Sequence, residues 1–342
     1  MIEINSNLSA CPKKVKAVGL ISGGLDSALA AEIVKELGAE VYGIYFSMPW
    51  GCCDKAKAME AAQKLGIHFI VMQLDERYLD VVKKPKHGYG TALNPCVDCR
   101  VHMFSRAQQY MASLGADFVF TGEVLGQRPM SQMRHSMSII ERESRLEGRL
   151  LRPLCAQLLE PTIPEKEGLI DRNKLLAISG RSRQEQIKLA QKYRITDFLP
   201  PAGGCLLTDK NFARRMKDTL DHGYRNFRET IGLKWGRHFR ISQDFKVVVG
   251  RDEAENESLR DYAHRDDFIF EFEHKKGPTL ILKGYNPPVE ILEIAAGLVQ
   301  RFSPFKDLPD IEVDYWPVQD KGSIKKVKAR ILEEEFIEKI KI

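Results

Sequence analysis

The sequence predicts an α/β fold, a parallel sheet with helices on both faces, followed by a smaller α+β domain. Three observations predict it. Apolar β-type runs alternate with helical patterns through residues 15–121. The breaker cluster LPPAGG at 199–204 marks a boundary. Beyond about residue 239, short β-type runs follow one another around a single long apolar helix.

Taken in order, residues 15–21 read as a strand, a glycine turn follows, and a helical pattern runs from 27 to 37 until Gly38 stops it. Strand 40–46, helix 55–65 and strand 68–74 come next; a helix ends at 110–114, and 117–121 is again a strand. This β-α-β order requires crossovers, hence parallel strands covered on both faces. Residues 158–195 read as helical, with a polar interruption at Gly180-Arg-Ser-Arg183. In the second part, 245–249, 267–272, 279–283 and 311–315 read as strands and 288–302 as a helix. Residues 321–342 read as a short strand or helix.

Composition narrows the classes of function. A hydrophobic content of 43% and a charged content of 29% over 342 residues exclude wholesale disorder and suit two domains. No apolar run reaches the eighteen residues that a spanning helix needs, so no membrane partner is expected. Residues 1–12 lack the basic and apolar stretches of a signal peptide, and the chain reads as cytoplasmic. The net charge of +5 permits an RNA partner without demanding one. Seven cysteines, an odd number, read as ligands or nucleophiles rather than a disulfide framework.

Ser22-Gly-Gly-Leu-Asp-Ser27 lies between the first strand and its helix. Glycines there let backbone amides approach an anion, and the helix amino end adds partial positive charge. The plainer reading is a βα turn with Asp26 or Ser27 as helix cap. The string has neither the lysine of a Walker loop nor the spacing of a dinucleotide fingerprint.

The cysteines leave three chemistries open. Cys96 and Cys99, in NPCVDC, stand three residues apart at the head of a helical run, and Cys205 lies far along the chain. Zinc would use these three with His102 as fourth ligand. A 4Fe–4S cluster would use three thiolates and leave one iron open. Alternatively, Cys99 and Cys205 form a redox pair, one carrying a persulfide and the other resolving it. Cys52-Cys53 reads as incidental, and Cys11 and Cys155 as small hydrophobes.

Ser22 to Ser27 resembles the PP-loop signature of ATP pyrophosphatases, enzymes of the adenine nucleotide alpha hydrolase-like fold. The resemblance implies ATP with Mg2+, its pyrophosphate cradled by Ser22, Gly23, Gly24, Asp26 and Ser27. NPCVDCRVHMF at 94–104 resembles the segment of tRNA 2-thiouridine synthetases that bears their first catalytic cysteine, here Cys99. Cys205 stands at about the separation of that family's persulfide-bearing cysteine, while Cys96 replaces its usual aspartate. TGEVLGQ at 121–127, with Ser131-Gln132, resembles the tRNA 4-thiouridine synthetases. That likeness adds Gly122 to the nucleotide-binding residues, with Glu123, Gln127 and Arg128 as candidates for positioning. The departure at Cys96 is similar to the cluster-dependent tRNA thiolases. Cys96, Cys99 and Cys205 are therefore expected to hold a 4Fe–4S cluster, since a third cysteine is redundant in a persulfide scheme. The persulfide pair and zinc stay as alternatives.

VGRDEAEN at 249–256, Gly277-Pro278, Ala295-Ala296 and Val313-Asp-Tyr315 resemble the NFACT RNA-binding domain. Arg214, Arg215, Lys217, Arg225, Arg228, Lys234, Arg237 and Arg240, interleaved with aromatics, read as a basic surface for RNA phosphates. The organisation expected is thus a PP-loop domain at 1–205, a basic linker at 206–240 and an NFACT-like domain at 241–342.

These resemblances imply ATP-dependent thiolation of a tRNA uridine, fed by sulfide or a persulfide carrier protein. The product, 2-thio or 4-thio, and the oligomeric state stay open. Two other classes compete: a PP-loop enzyme adenylating another acceptor, and a non-catalytic RNA-binding factor that uses nucleotide only as a switch.

Overall fold

The structure, a computed structural model, describes residues 14–51, 55–196, 198, 205–224, 227–272 and 275–342. The expected boundary at 199–204, Cys11, Cys52, Cys53 and Arg225 lie outside the described residues. The chain divides into two compact units, Met1–Leu206 and Leu207–Ile342.

The first unit is built on β1 (Lys16–Leu20), β2 (Glu40–Ser47), β3 (His68–Gln73), β4 (Phe118–Thr121) and β5 (Leu150–Leu151). All neighbours pair in parallel, in the order β3-β2-β1-β4-β5. The order reverses direction between β1 and β4, and in such sheets ligands bind beyond the carboxyl ends of the strands at that point. Helix α1 (Leu25–Glu36) follows β1, and α2 (Lys55–Leu65) and α3 (Arg77–Lys83) come next. The long α4 (Cys96–Leu114) leads into β4, with α5 (Arg134–Glu143) after it. Leu25, Leu29, Ala30 and Val34 of α1 are wholly buried against Phe118 and Phe120 of β4, Leu151 and Ile178. The apolar run in α1 is therefore core on most sides, which locks the glycine loop to the sheet.

Residues 158–195 depart from the helical expectation. They hold two 3-10 turns, the four-residue α6 (Ile163–Lys166) and α7 (Gln184–Lys192). Pro161, Pro164, Gly168 and Gly180 interrupt the pattern, and α6 survives only as one turn nucleated by a Thr162–Glu165 capping box.

The second unit starts with α8 (Lys210–Asp221) and continues with β6 (Arg237–Arg240), β7 (Lys246–Val249) and α9 (Glu253–Tyr262). It then runs through β8 (Phe268–Glu271), β9 (Leu280–Lys283), α10 (Val289–Arg301), β10 (Glu312–Pro317), β11 (Lys325–Lys328) and α11 (Glu334–Ile340). Its sheet is antiparallel throughout, ordered β11-β10-β8-β9-β7-β6. Helix α10 packs Ala295, Ala296, Leu298 and Val299 onto it, with Phe239, Phe270 and Val313 beneath.

The stretch at 206–240 is therefore not a linker. Phe212, Ala213, Met216 and Leu220 of α8 are buried, and β6 is the sheet's last strand. Most of its basic groups are engaged inside the unit. Arg240 grips Asp218 through Nε and Nη2 (3.0 and 2.8 Å), Arg215 donates to the Leu233 carbonyl (3.0 Å), and Arg228 donates to that of Asp261 (3.0 Å). Arg237 lies 4.7 Å over the Phe302 ring. Phe212 and Phe239 are core, and Trp235 packs edge-on to Tyr262. The stretch forms an amphipathic helix, a 3-10 segment and an edge strand, with Phe212 and Phe239 in the core.

Candidate active site

The glycine loop leaves β1 at the reversal point. Gly23 takes φ +78°, and a Cβ there would stand 2.9 Å from the Ala58 backbone nitrogen, so only glycine fits. Gly24 is the N-cap of α1, and no side chain caps the helix. The helix starts two residues earlier than its pattern suggested, which puts Asp26 and Ser27 inside the first turn rather than at the cap. Ser27 Oγ donates to the Gly24 carbonyl (2.8 Å) and accepts from the Ser22 amide (3.2 Å); the Ser22 and Ser27 hydroxyls meet at 3.2 Å. The two serines hold the loop closed, and the amides of the first turn keep their partial positive charge without a capping oxygen.

Gly122, at the end of β4, is the other fixed wall. A Cβ on it would lie 2.4 Å from the Asp26 carbonyl carbon and 2.6 Å from the Ser27 nitrogen. Backbone therefore touches backbone where the two motifs meet. Gln127 Nε2 donates to Asp26 Oδ2 (2.9 Å), so the loop after β4 also orients the Asp26 carboxylate.

The structure brings Ser22, Gly23, Gly24, Asp26, Ser27 and Gly122 together. Glu123 has a different task. It is buried between Arg152 (3.3 Å) and Arg100 (3.6 Å), an ion-pair cluster that fastens β4 to α4 and to the segment after β5. A side chain so enclosed holds the fold, not a ligand. Cys155 behaves as the small hydrophobe expected: it is wholly buried, its Sγ donates to the Glu123 carbonyl (3.4 Å), and burial pushes the thiol up to about 11.

Cys96 and Cys99 lie in the first turn of α4, and Cys205 is half-buried, its Sγ 3.9 Å from the Trp50 carbonyl. Tyr78 of α3 connects two of them. Its hydroxyl donates to Cys99 Sγ at 2.9 Å, its ring stacks on Trp50 and meets His102 edge-on, and it is almost completely buried. Burial, then the charges of Cys99 and Cys205, hold its phenol well above the ordinary tyrosine range. The phenol thus bonds to Cys99 and feels the charge of Cys205. Burial and the Arg106 charge lower the His102 imidazole, whose Nε2 has no hydrogen-bond partner among the described residues.

No group of three or more His, Cys, Asp or Glu side chains among the described residues is placed to hold a metal ion. Cys96, Cys99 and Cys205, expected to hold a 4Fe–4S cluster or, with His102, zinc, do not form such a group as they are placed here, and no step below runs through a metal. Tyr78 and Trp50 escaped the sequence reading because ERYLDVV and MPW look like ordinary core. Arg183 is also drawn to the loop, 4.0 Å from Asp26 Oδ1, from a segment that read only as an interruption.

A glycine loop opening an uncapped helix at the reversal point of a parallel sheet, with a separate antiparallel domain behind it in the chain, is the architecture of a parallel α/β domain joined to an accessory module. Comparison with known proteins gives both parts relatives. Residues 14–142 match the family described as tRNA methyl transferase HUP domain, and residues 236–339 match the NFACT protein RNA binding domain. The tRNA-specific 2-thiouridylase MnmA of Tropheryma whipplei (strain Twist) is 33% identical over 121 residues, 32% of this chain and 34% of that one. The enzyme of the same name from Beutenbergia cavernae is 34% identical over 125 residues, 32% of this chain and 33% of that one. The aligned part spans about a third of the length of these relatives. Among solved structures, one described as a predicted subunit of tRNA methyltransferase from Methanocaldococcus jannaschii overlaps at a TM-score of 0.34 and 16% identity, over 52% of this chain and 76% of that one. The chain thus joins a domain similar to the HUP domain of tRNA-modifying proteins to one similar to the NFACT RNA-binding domain.

Proposed function

We propose that the protein is an ATP-dependent tRNA sulfurtransferase that replaces a uracil carbonyl oxygen with sulfur, using Cys99 and Cys205 as a thiol pair. The observation that carries this reading is the buried Tyr78 hydroxyl bonded to Cys99 Sγ, in the same unit as Cys205 and the glycine loop. The likeness to the 2-thiouridylases over 121–125 residues, about a third of the chain, supports it.

A uracil oxygen is a poor leaving group and must first become a phosphate ester. The loop amides and the amino end of α1 suit the triphosphate of ATP, with Mg2+ shielding its charge. Attack by the uracil oxygen on the α-phosphorus forms the O–P bond and breaks the α–β bridge, releasing pyrophosphate. Backbone donors fixed by Gly23 and Gly122 stabilise that charge without reorganising. The terminal sulfur of a persulfide on Cys205, loaded by an external persulfide donor, then attacks the activated carbon, and AMP leaves. Cys99 thiolate attacks Cys205 Sγ, breaking the S–S bond to the new thiocarbonyl and forming a Cys99–Cys205 disulfide. An external dithiol restores both cysteines. The Tyr78 hydrogen bond steadies Cys99 as the attacking sulfur.

The reading is tested by mass analysis of tRNA nucleosides from cells carrying the wild-type chain, Cys99→Ser, Cys205→Ser or Cys96→Ser. Loss of thiouridine with the first two and retention with Cys96→Ser is expected. Equal loss in all three, with iron and acid-labile sulfide in anaerobically prepared protein, would replace the pair with a cluster.

A further inference from the structure

Four side chains around the glycine loop carry buried polar atoms that have no hydrogen-bond partner among the described residues. They are Asp26 (Oδ1), Gln127 (Oε1), Arg183 (Nε) and Gln186 (both amide atoms). The positions are linked. Gln127 donates to Asp26, and Arg183 Nη2 stands 4.0 Å from Asp26 Oδ1, an approach too long for a hydrogen bond. Ser179 bridges to Leu125 and the Gly180 amide donates to the Leu125 carbonyl (2.8 Å), which pins residues 178–183 beside the loop after β4.

Arg183 is the N-cap residue of α7. At the other end of that helix Tyr193 donates to Glu36, the last residue of α1, at 2.6 Å. With Arg183 near Asp26 at one end and Tyr193 on Glu36 at the other, α1 and α7 run side by side in the same direction. Their amino ends therefore open toward the same place, and their partial positive charges add there. Gln186, in the first turn of α7, is wholly buried with its amide unsatisfied.

The plain alternative is that Arg183 merely neutralises Asp26. That leaves the guanidinium Nε and the carboxylate Oδ1 both buried and unmatched, which is costly for charged groups. A phosphate oxygen satisfies the guanidinium instead, since the planar fork of arginine fits phosphate in bidentate fashion. Resting on the reading of the loop as a triphosphate site, we infer that Arg183 is a further phosphate-binding residue. It is carried by the 178–183 segment at the amino end of α7, and Asp26 holds it ready. The loop grips one side of the triphosphate and Arg183 with the first turn of α7 grips the other. Its contribution goes to the phosphates and none of it to the adenosine.

The test is titration of the full chain with Mg-ATP, magnesium pyrophosphate and adenosine. Arg183→Gln should weaken ATP and pyrophosphate by roughly 10- to 100-fold and leave adenosine unchanged. Arg183→Lys keeps the charge without the fork and should show a smaller loss confined to the same two ligands. Lys188→Gln, the same charge change at an exposed position of α7, should alter none of the three. Arg183→Gln binding ATP and pyrophosphate like wild type, or losing adenosine in equal measure, would overturn the inference. If that variant fails to fold, wild-type pyrophosphate binding by Arg183→Lys would overturn it. A wild-type chain that binds neither ATP nor pyrophosphate would instead overturn the triphosphate reading itself, and this inference with it.

Discussion

Gly122 shows how a single residue joins the two halves of the candidate site. It has no side chain because the first turn of α1 occupies the space one would need, at 2.4 Å from the Asp26 carbonyl carbon. Neither neighbour can yield cheaply, since both are backbone. Gly122→Ala should therefore push the loop off β4, at a cost of about 1–3 kcal/mol in stability. ATP affinity should fall by more than that loss of folded protein explains. Titration of ATP alongside thermal melting checks this; a variant with unchanged ATP affinity would mean that the contact is packing alone. The role of Gly122 was legible as part of a motif, but the partner it touches was not, because no local pattern records which two loops a sheet reversal brings together. Arg183 was less legible still. Its segment looks like a break in a helix, and only the Ser179–Leu125 bridge reveals where that break is held.

Among the elements, the strands and helices of the first sheet were plain in the sequence because each carries a clean period. Two stretches were not. Residues 158–195 carry apolar spacing that suits a helix, yet Pro161, Pro164 and Gly168 remove donors and loosen the backbone within it. Residues 210–221 show the opposite failure. Their charge is conspicuous, but Phe212, Ala213, Met216 and Leu220 trace one helical face, and that face decides the outcome. Beside it, β6 carries His238, buried, with Nε2 donating to the Trp235 carbonyl at 2.7 Å. Burial, then the Lys246 and Arg215 charges, lower this imidazole well below its ordinary value. The unfolded chain therefore takes up a proton as pH falls through about 6.5 while the folded one does not. Stability from this group is complete above that pH and drains away below it, by up to about 1.4 kcal/mol per pH unit. Protection factors of the β6 and β7 amides, taken relative to intrinsic exchange at each pH, should fall from pH 7 to pH 5 in the wild type and much less in His238→Phe. Equal protection at both pH values would show that the imidazole is not held neutral.

At the scale of the whole molecule, no helix among the described residues is long and apolar enough to cross a membrane. The charge that first suggested an RNA surface is largely spent inside the second unit, where Arg215, Arg228, Arg237 and Arg240 each hold a partner. Lys325, Lys326 and Lys328 lie instead along β11, at one edge of the sheet, a placement that also discourages strand pairing with other chains. The proposed division of labour gives chemistry to the parallel unit and RNA contact to the antiparallel one, and it has one necessary consequence. Cleavage of ATP must depend on RNA, because a uracil oxygen is the acceptor. The most direct measurement is pyrophosphate release by the full chain with ATP and Mg2+, with and without bulk tRNA, for the wild type and Asp26→Ala. The account predicts release that requires tRNA in the wild type and is lost in a folded Asp26→Ala variant. Release independent of tRNA, or undiminished in Asp26→Ala, would contradict it.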